Sequence, residues 1–314
     1  MEPFENKNKE VSRVEQGEMT RAMRRGCTRI GLGLLAYMMC LLVVGSVIQI
    51  VLEWVFPGSL DNTWVVMVEN DLVTYGLGPV VLWLILRPLP TADPVNRGMT
   101  PKRMGKLTLE AIGLMYGGEL VTTGLIALIN VLSGRETGDL LQSATEDMSA
   151  GMMFLFMVLI APICEELIFR RILFRRLLPM GENFAILMSA LAFSLFHCNL
   201  FQAVYAFAIG VLFGCIIVKT GRLRYTVALH MILNFLGSVV VVLVSPYEMA
   251  ATAFYLLLYV LMAVGLVIFC MDCKSLFRNR PSLPECGKAA FTSWGMLLFV
   301  ILFAILSVVI IFYV

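Results

Sequence analysis

Nine apolar stretches, separated by short connections, limit what this chain can fold into. They run at 30–56, 72–86, 107–133, 150–169, 184–197, 201–218, 223–245, 250–270 and 290–314. About 20 apolar residues in a helix match a hydrocarbon core about 30 Å thick. In lipid a helix satisfies its own backbone polar groups. The expected fold is therefore all-α, a polytopic transmembrane bundle of about nine spans. Composition agrees, with 59% hydrophobic and 15% charged residues, where a soluble domain carries roughly a quarter charged. The spans are too many and too long for a cleaved signal peptide. Pro57-Gly58, Pro88-Leu-Pro90, Gly134, Pro179-Met-Gly181 and Ser245-Pro246 punctuate them. The second and fifth stretches are short for a bilayer, and the turn at Cys198-Asn199 is tight.

Charge sets the expected orientation. Lys and Arg fall in alternate connections: the N-terminal segment, 87–106, 170–182, 219–224 and 271–289 together hold 23 of the 24, and Arg135 is the exception. Basic connections stay cytoplasmic, so the N-terminus is expected inside and the C-terminus outside, with the plasma membrane as location. Residues 1–29 are polar and are expected to form a mobile cytoplasmic tail, ending in a collar of Arg21, Arg24, Arg25 and Arg29. Residues 30–314 form the membrane domain. No aromatic-interleaved basic patch points to nucleic acid. The eight cysteines are scattered, mostly in apolar stretches, and suggest no disulfide framework. Cys270-Met-Asp-Cys273 is a CxxC without a second copy or a nearby His.

Ionisable groups within apolar stretches are costly and mark function by default. Glu165 and Glu166 follow ten nearly pure hydrocarbon residues, Met152–Ala161. On a helix Glu166 and Arg170 share a face and can pair. Glu165 points about 100° away, without a local cation. Both histidines of the chain, His197 and His230, also lie in apolar stretches, and Asn234 follows His230 at helical spacing. A single buried His is ordinarily a packed, hydrogen-bonded residue, but that bland reading must here cover two histidines and a carboxylate pair. Glu165 and His197 lie sixteen residues either side of Gly181, so a hairpin turning there sets them level. Glu165 and His230 each lie six residues from a basic boundary, Arg171 and Arg224, or about 9 Å at 1.5 Å per residue. The three are expected in one layer, around a cavity open towards the cytoplasmic side.

Two chemistries fit. A carboxylate can take a proton from water, an imidazole can orient that water, and a second imidazole with an amide can donate to an oxyanion. Alternatively Glu165, His197 and His230 could hold zinc with a position left open. The His-Glu-x-x-His helix of common zinc proteases is missing from the sequence. The expectation is no cofactor, with zinc as the alternative. Glu119, mid-span in Tyr116-Gly-Gly-Glu119, is a cavity or structural group; Glu53 and Trp54 suit interface anchors. Arg171, Arg175 and Arg176 suit topology and headgroup contact.

Glu165-Glu166-x-x-x-Arg170, Phe193-x-x-x-His197 and His230-x-x-x-Asn234, in that order on separate spans, resemble the three motifs of the CPBP intramembrane proteases, the family of CAAX proteases and bacteriocin-processing proteins. The resemblance covers about 150–240. It implies an endopeptidase in which Glu165 is the catalytic carboxylate, His197 its water-orienting partner, and His230 and Asn234 the oxyanion donors, with Glu166, Arg170 and Phe193 in support. The implied substrate is a membrane-anchored or hydrophobic peptide, a prenylated CAAX tail or a small secreted peptide, with self-immunity to bacteriocins as a further role the resemblance allows. A proton-coupled transporter is the competing class, since Glu, His and Arg also suit a relay, but no inverted repeat or paired broken helices are seen. A non-catalytic membrane adaptor is the third.

Overall fold

The computed structural model describes residues 2–277 and 285–313. Among them there are helices and no strands. Seven helices are long and apolar enough to cross a membrane: α1 Gly17–Val55, α2 Thr63–Leu86, α3 Pro101–Ser133, α4 Ala150–Met180, α6 Leu200–Thr220, α7 Leu223–Val244 and α8 Glu248–Leu276. Two shorter apolar helices are α5 Glu182–Phe196 and α9 Trp294–Ile310. Each expected stretch thus has a helix. Large apolar side chains such as Trp54, Leu132 and Met249 face outward at 78–86% exposure, as lipid-facing positions do. The protein is an integral, multi-pass membrane protein.

Capping chemistry explains the boundaries. Asn62 accepts from the Trp64 amide at 3.0 Å to open α2, and Thr100 accepts from Arg103 at 3.3 Å to open α3. Gly134 and Gly221 close α3 and α6 with φ of 66° and 63°, the left-handed end that glycine allows. α3 packs on α6 and α8, α5 on α6, α7 on α4 and α3, and α1 on α2 and α9. Small residues let these backbones approach; a Cβ added at Gly113 of α3 would lie 2.5 Å from the Leu266 nitrogen of α8.

Two expectations are corrected. α2 spans 24 residues and is not short. The polar run Glu69-Asn70-Asp71, which reads as a connection, lies inside the helix. Glu69 is buried and accepts from Gln49 at 3.0 Å, which offsets the cost of burying it. The boundary at residue 29 also dissolves. The backbone is helical from Glu2, and from Met23 the side chains pack on the bundle: Met23 and Cys27 are buried, and Arg24 donates to the Thr292 carbonyl at 3.0 Å.

The basic connections meet at one end of the bundle. Arg175 pairs with Asp93 at 2.6 Å and Arg222 donates to Asn96 at 2.8 Å. Lys219 donates to the Ser275 carbonyl at 3.0 Å, and Arg103 and Lys106 both pair with Asp272. At the opposite end Asn199 donates to Asp139 at 2.8 Å, joining the 134–149 and 198–200 connections. The charge alternation therefore corresponds to two physical ends. Arg278 and Arg280 of the 271–289 connection lie outside the described residues.

Candidate active site

The carboxylate pair sits where α4 departs from regular geometry. Widened π-helical turns at Phe154–Ile160 and Leu167–Leu173 flank Ala161–Glu166. Pro162 is the local reason, because a proline inside a helix lacks an amide proton and crowds the carbonyl one turn back. The Ala161 amide bonds five residues back, to Phe156. That leaves the Met157 carbonyl free, and Asn234 of α7 donates to it at 2.8 Å. A proline on one helix thus creates the acceptor that positions an amide on another.

Glu166 and Arg170 pair at 3.5 Å, with both side chains at 0% exposure. The Arg170 Nη1 donates to Ser189 Oγ of α5, which donates onward to the Phe169 carbonyl at 3.0 Å. The guanidinium also stands 5.3 Å over the Phe193 ring, a cation–π contact. Glu166 Oε1 lies 3.5 Å from His230 Nδ1. The buried pair thereby connects α4, α5 and α7 behind the cavity.

Glu165 faces the other way and is 17% exposed. Its Oε1 accepts from the Tyr75 hydroxyl at 2.9 Å, and its Oε2 lies 3.7 Å from His230 Nε2. His230 therefore stands between the two carboxylates. His197, just past the end of α5, has Nδ1 2.8 Å from the Phe193 carbonyl. A carbonyl oxygen only accepts, so Nδ1 carries the hydrogen and Nε2 of the neutral ring keeps its lone pair. The backbone there is pinned. Cys198 takes a φ of 48°, the Asn199 side chain caps α6 at the Phe201 amide, 2.9 Å away, and Ser194 donates to Ala203 at 2.7 Å. Phe193 lies edge-on to both imidazoles, with centroids 5.0 Å from His197 and 5.7 Å from His230.

Glu165, His197, His230, Asn234 and Phe193 all line one cavity of about 290 Å³. Glu166 and Arg170 do not line it. Sequence reasoning missed Tyr75 and Asp71, one turn apart on α2, which also line it. The signal was available as Asp71-x-x-x-Tyr75 at helical spacing, but the preceding polar residues hid the helix. Glu119 is exposed on α3 and is not a cavity residue. The residues of the zinc alternative share the cavity without converging as ligands: among the described residues no three His, Cys, Asp or Glu side chains are placed to hold a metal ion.

The cavity lining is distributed unevenly about the carboxylate layer. On α4 the lining runs from Phe156 to Glu165 and stops; on α7 it begins at His230 and runs to Ser238. On α6 it uses Gln202 to Ile209, and on α2 Met67 to Tyr75. Each of these stretches lies on the basic-poor side of the carboxylate layer. Ala144, Thr145 and Met148 of the 134–149 connection complete the lining, and Ala144 and Asn70 are exposed. Below the layer the space is filled: Leu173, Phe174 and Phe213 are 0% exposed, and Arg176 is buried with bonds to the Leu86 and Ile172 carbonyls at 2.9 and 2.7 Å.

Residues 148–236 match a family model, Type II CAAX prenyl endopeptidase Rce1-like. No curated protein and no solved structure matches the chain at a significant level. The matched segment contains the carboxylate pair, both histidines and Asn234, and stops before Ser238. Over residues 148–236 the chain is thus similar to the Rce1-like CAAX proteases, a family of membrane-embedded proteases.

Proposed function

We propose that this protein is an intramembrane endopeptidase in which Glu165 activates water to hydrolyse a peptide bond of a membrane-bound or hydrophobic peptide, without a metal. The observation that carries this reading is the meeting of Glu165, His197, His230 and Asn234 on one cavity, with Glu165 held between Tyr75 and His230. A carboxylate and two imidazoles inside a bundle are stable only when hydrated or bonded, so the same groups that receive substrate also hold water.

Glu165 takes a proton from that water as its oxygen attacks the scissile carbonyl carbon. His197 Nε2 accepts the water's second hydrogen and aims the oxygen. The negative charge gathers on the carbonyl oxygen. Asn234 uses one amide hydrogen on Met157 and has a second to donate; with His230 it stabilises the oxyanion. The carbon–nitrogen bond then breaks, the proton on Glu165 passes to the departing nitrogen, and a carboxylic acid, which keeps the water's second hydrogen, and an amine result. Glu166 and Arg170 hold His230 and α5 in place from behind.

The test is Glu165→Gln, which keeps the shape and loses the proton acceptor. Membrane peptides of cells carrying wild-type protein and the variant are compared by mass spectrometry. Fragments should vanish with the variant, at equal amounts of folded protein. Fragments that persist unchanged would remove Glu165 from the chemistry.

A further inference from the structure

We infer that the cavity receives its substrate from the extracytoplasmic face, so that its substrates are apolar peptide segments presented at the outer surface of the membrane, whether exported or anchored there, rather than the tails of cytosolic proteins. This substrate class rests on the protease reading above; the direction of entry does not.

Two independent observations point the same way. The first is sidedness. The Arg- and Lys-rich connections bond to one another at one end of the bundle, as in Arg175–Asp93 and Arg222–Asn96. The connections at the other end hold one basic residue, Arg135. Basic connections are retained in the cytoplasm, which assigns the basic-poor end to the outside. The second is the shape of the void. It begins at the carboxylate layer and extends only towards that basic-poor end, reaching exposed Asn70 and Ala144. Towards the basic end, Leu173 and Phe174 are wholly buried and fill the route.

The lining fits an apolar chain rather than a charged one. Met67, Met115 and Phe156 line the approach, and methionine adapts to varied apolar shapes. Glu165, His197, His230 and Asn234 supply polar groups where a backbone is to be cut, and the uncharged Asn70, Thr145, Gln202 and Ser238 line the rest of the space. A prenylated cytosolic tail would have to cross the packed basic end to reach Glu165.

Entry is tested without reference to activity. Ala144→Cys and Arg97→Cys variants, both at exposed positions, are treated in intact cells with a membrane-impermeant sulfonated maleimide. Adducts are located by mass spectrometry on the purified chain. Ala144→Cys should be modified in intact cells, and Arg97→Cys only after permeabilisation. The reverse pattern overturns the inference. A quenched library of short apolar peptides carrying a hydrophilic dye is then offered to right-side-out and inside-out vesicles. Cleavage should be at least tenfold faster in right-side-out vesicles. Cleavage confined to inside-out vesicles defeats the outer entry and leaves the protease reading standing. External labelling at position 144 without cleavage in either orientation supports the entry side and counts against the protease reading.

Discussion

Tyr75 donates its hydroxyl proton to Glu165 across 2.9 Å, binding the second helix to the fourth. The bond fixes which carboxylate oxygen is engaged and leaves Oε2 turned towards His230, 3.7 Å away. A carboxylate without this anchor would be free to rotate in the cavity. Tyr75 lies in a widened turn, Leu72–Leu77, just as Glu165 lies between two such turns on α4. Wide turns of this kind concentrate at functional sites because they redirect side chains without ending the helix.

Tyr75→Phe keeps the ring and removes this bond. A hydrogen bond to a charged group contributes roughly 1.5–3 kcal/mol, so kcat/KM should fall about ten- to a hundredfold. Yield and helical content should stay at wild-type values. Kinetics on detergent-purified protein decide the matter, and an unchanged rate would show that Glu165 is oriented by something else.

Arg170 and Glu166 test the support behind the cavity. Arg170→Met leaves Glu166 buried without its cation, and breaking a buried pair costs about 3–5 kcal/mol. Folded yield and activity should drop together. The double variant Glu166→Gln with Arg170→Met should unfold at a higher temperature than Arg170→Met alone, because no unpaired charge remains. A double variant no better than the single one would mean that Arg170 acts through Ser189 and Phe193, not through Glu166.

Much of this was legible in the sequence because apolar length and motif spacing are local properties. Glu166 and Arg170, four apart, had to share a helix face, and the 3.5 Å pair follows from that. His197, His230 and Glu165 could be set level by counting from Gly181 and the basic boundaries. What stayed hidden depends on contacts between helices. The Met157 carbonyl becomes an acceptor through the π turn before Pro162, which no spacing announces. Asp71 and Tyr75 lay in a stretch whose polar residues imitate a connection. The direction of the cavity was also beyond reach, since counting gives the depth of Glu165 but not which side of it is filled.

Asn234 has a positional and a chemical role that kinetics can separate. Losing one preorganised oxyanion donor typically lowers kcat by about 10²–10³. Asn234→Ala should do so with little change in KM, because the contact strengthens only as charge develops. Ser238→Ala removes the bond to the Asn234 carbonyl without touching the amide and should leave kcat within about threefold, a loss of roughly 0.6 kcal/mol at 1.36 kcal/mol per tenfold. Equal effects on KM and kcat in Asn234→Ala would reduce it to a residue that shapes the cavity.

Metal dependence is the last question. Zinc bound through Glu165, His197 and His230 would occupy the carboxylate that serves as base. Glu166 could not readily replace it, being wholly buried and paired with Arg170. His230 directs both ring nitrogens at carboxylates, Nδ1 at Glu166 and Nε2 at Glu165, an arrangement suited to an imidazole that exchanges hydrogen bonds with its neighbours. Purified protein dialysed against a strong chelator should therefore retain its turnover, and elemental analysis should find less than one zinc for every ten chains. Stoichiometric zinc would overturn the metal-free mechanism if its removal stops cleavage and its return restores it. Glu165 would then be a ligand, and Tyr75→Phe would be expected to weaken zinc retention as well as rate.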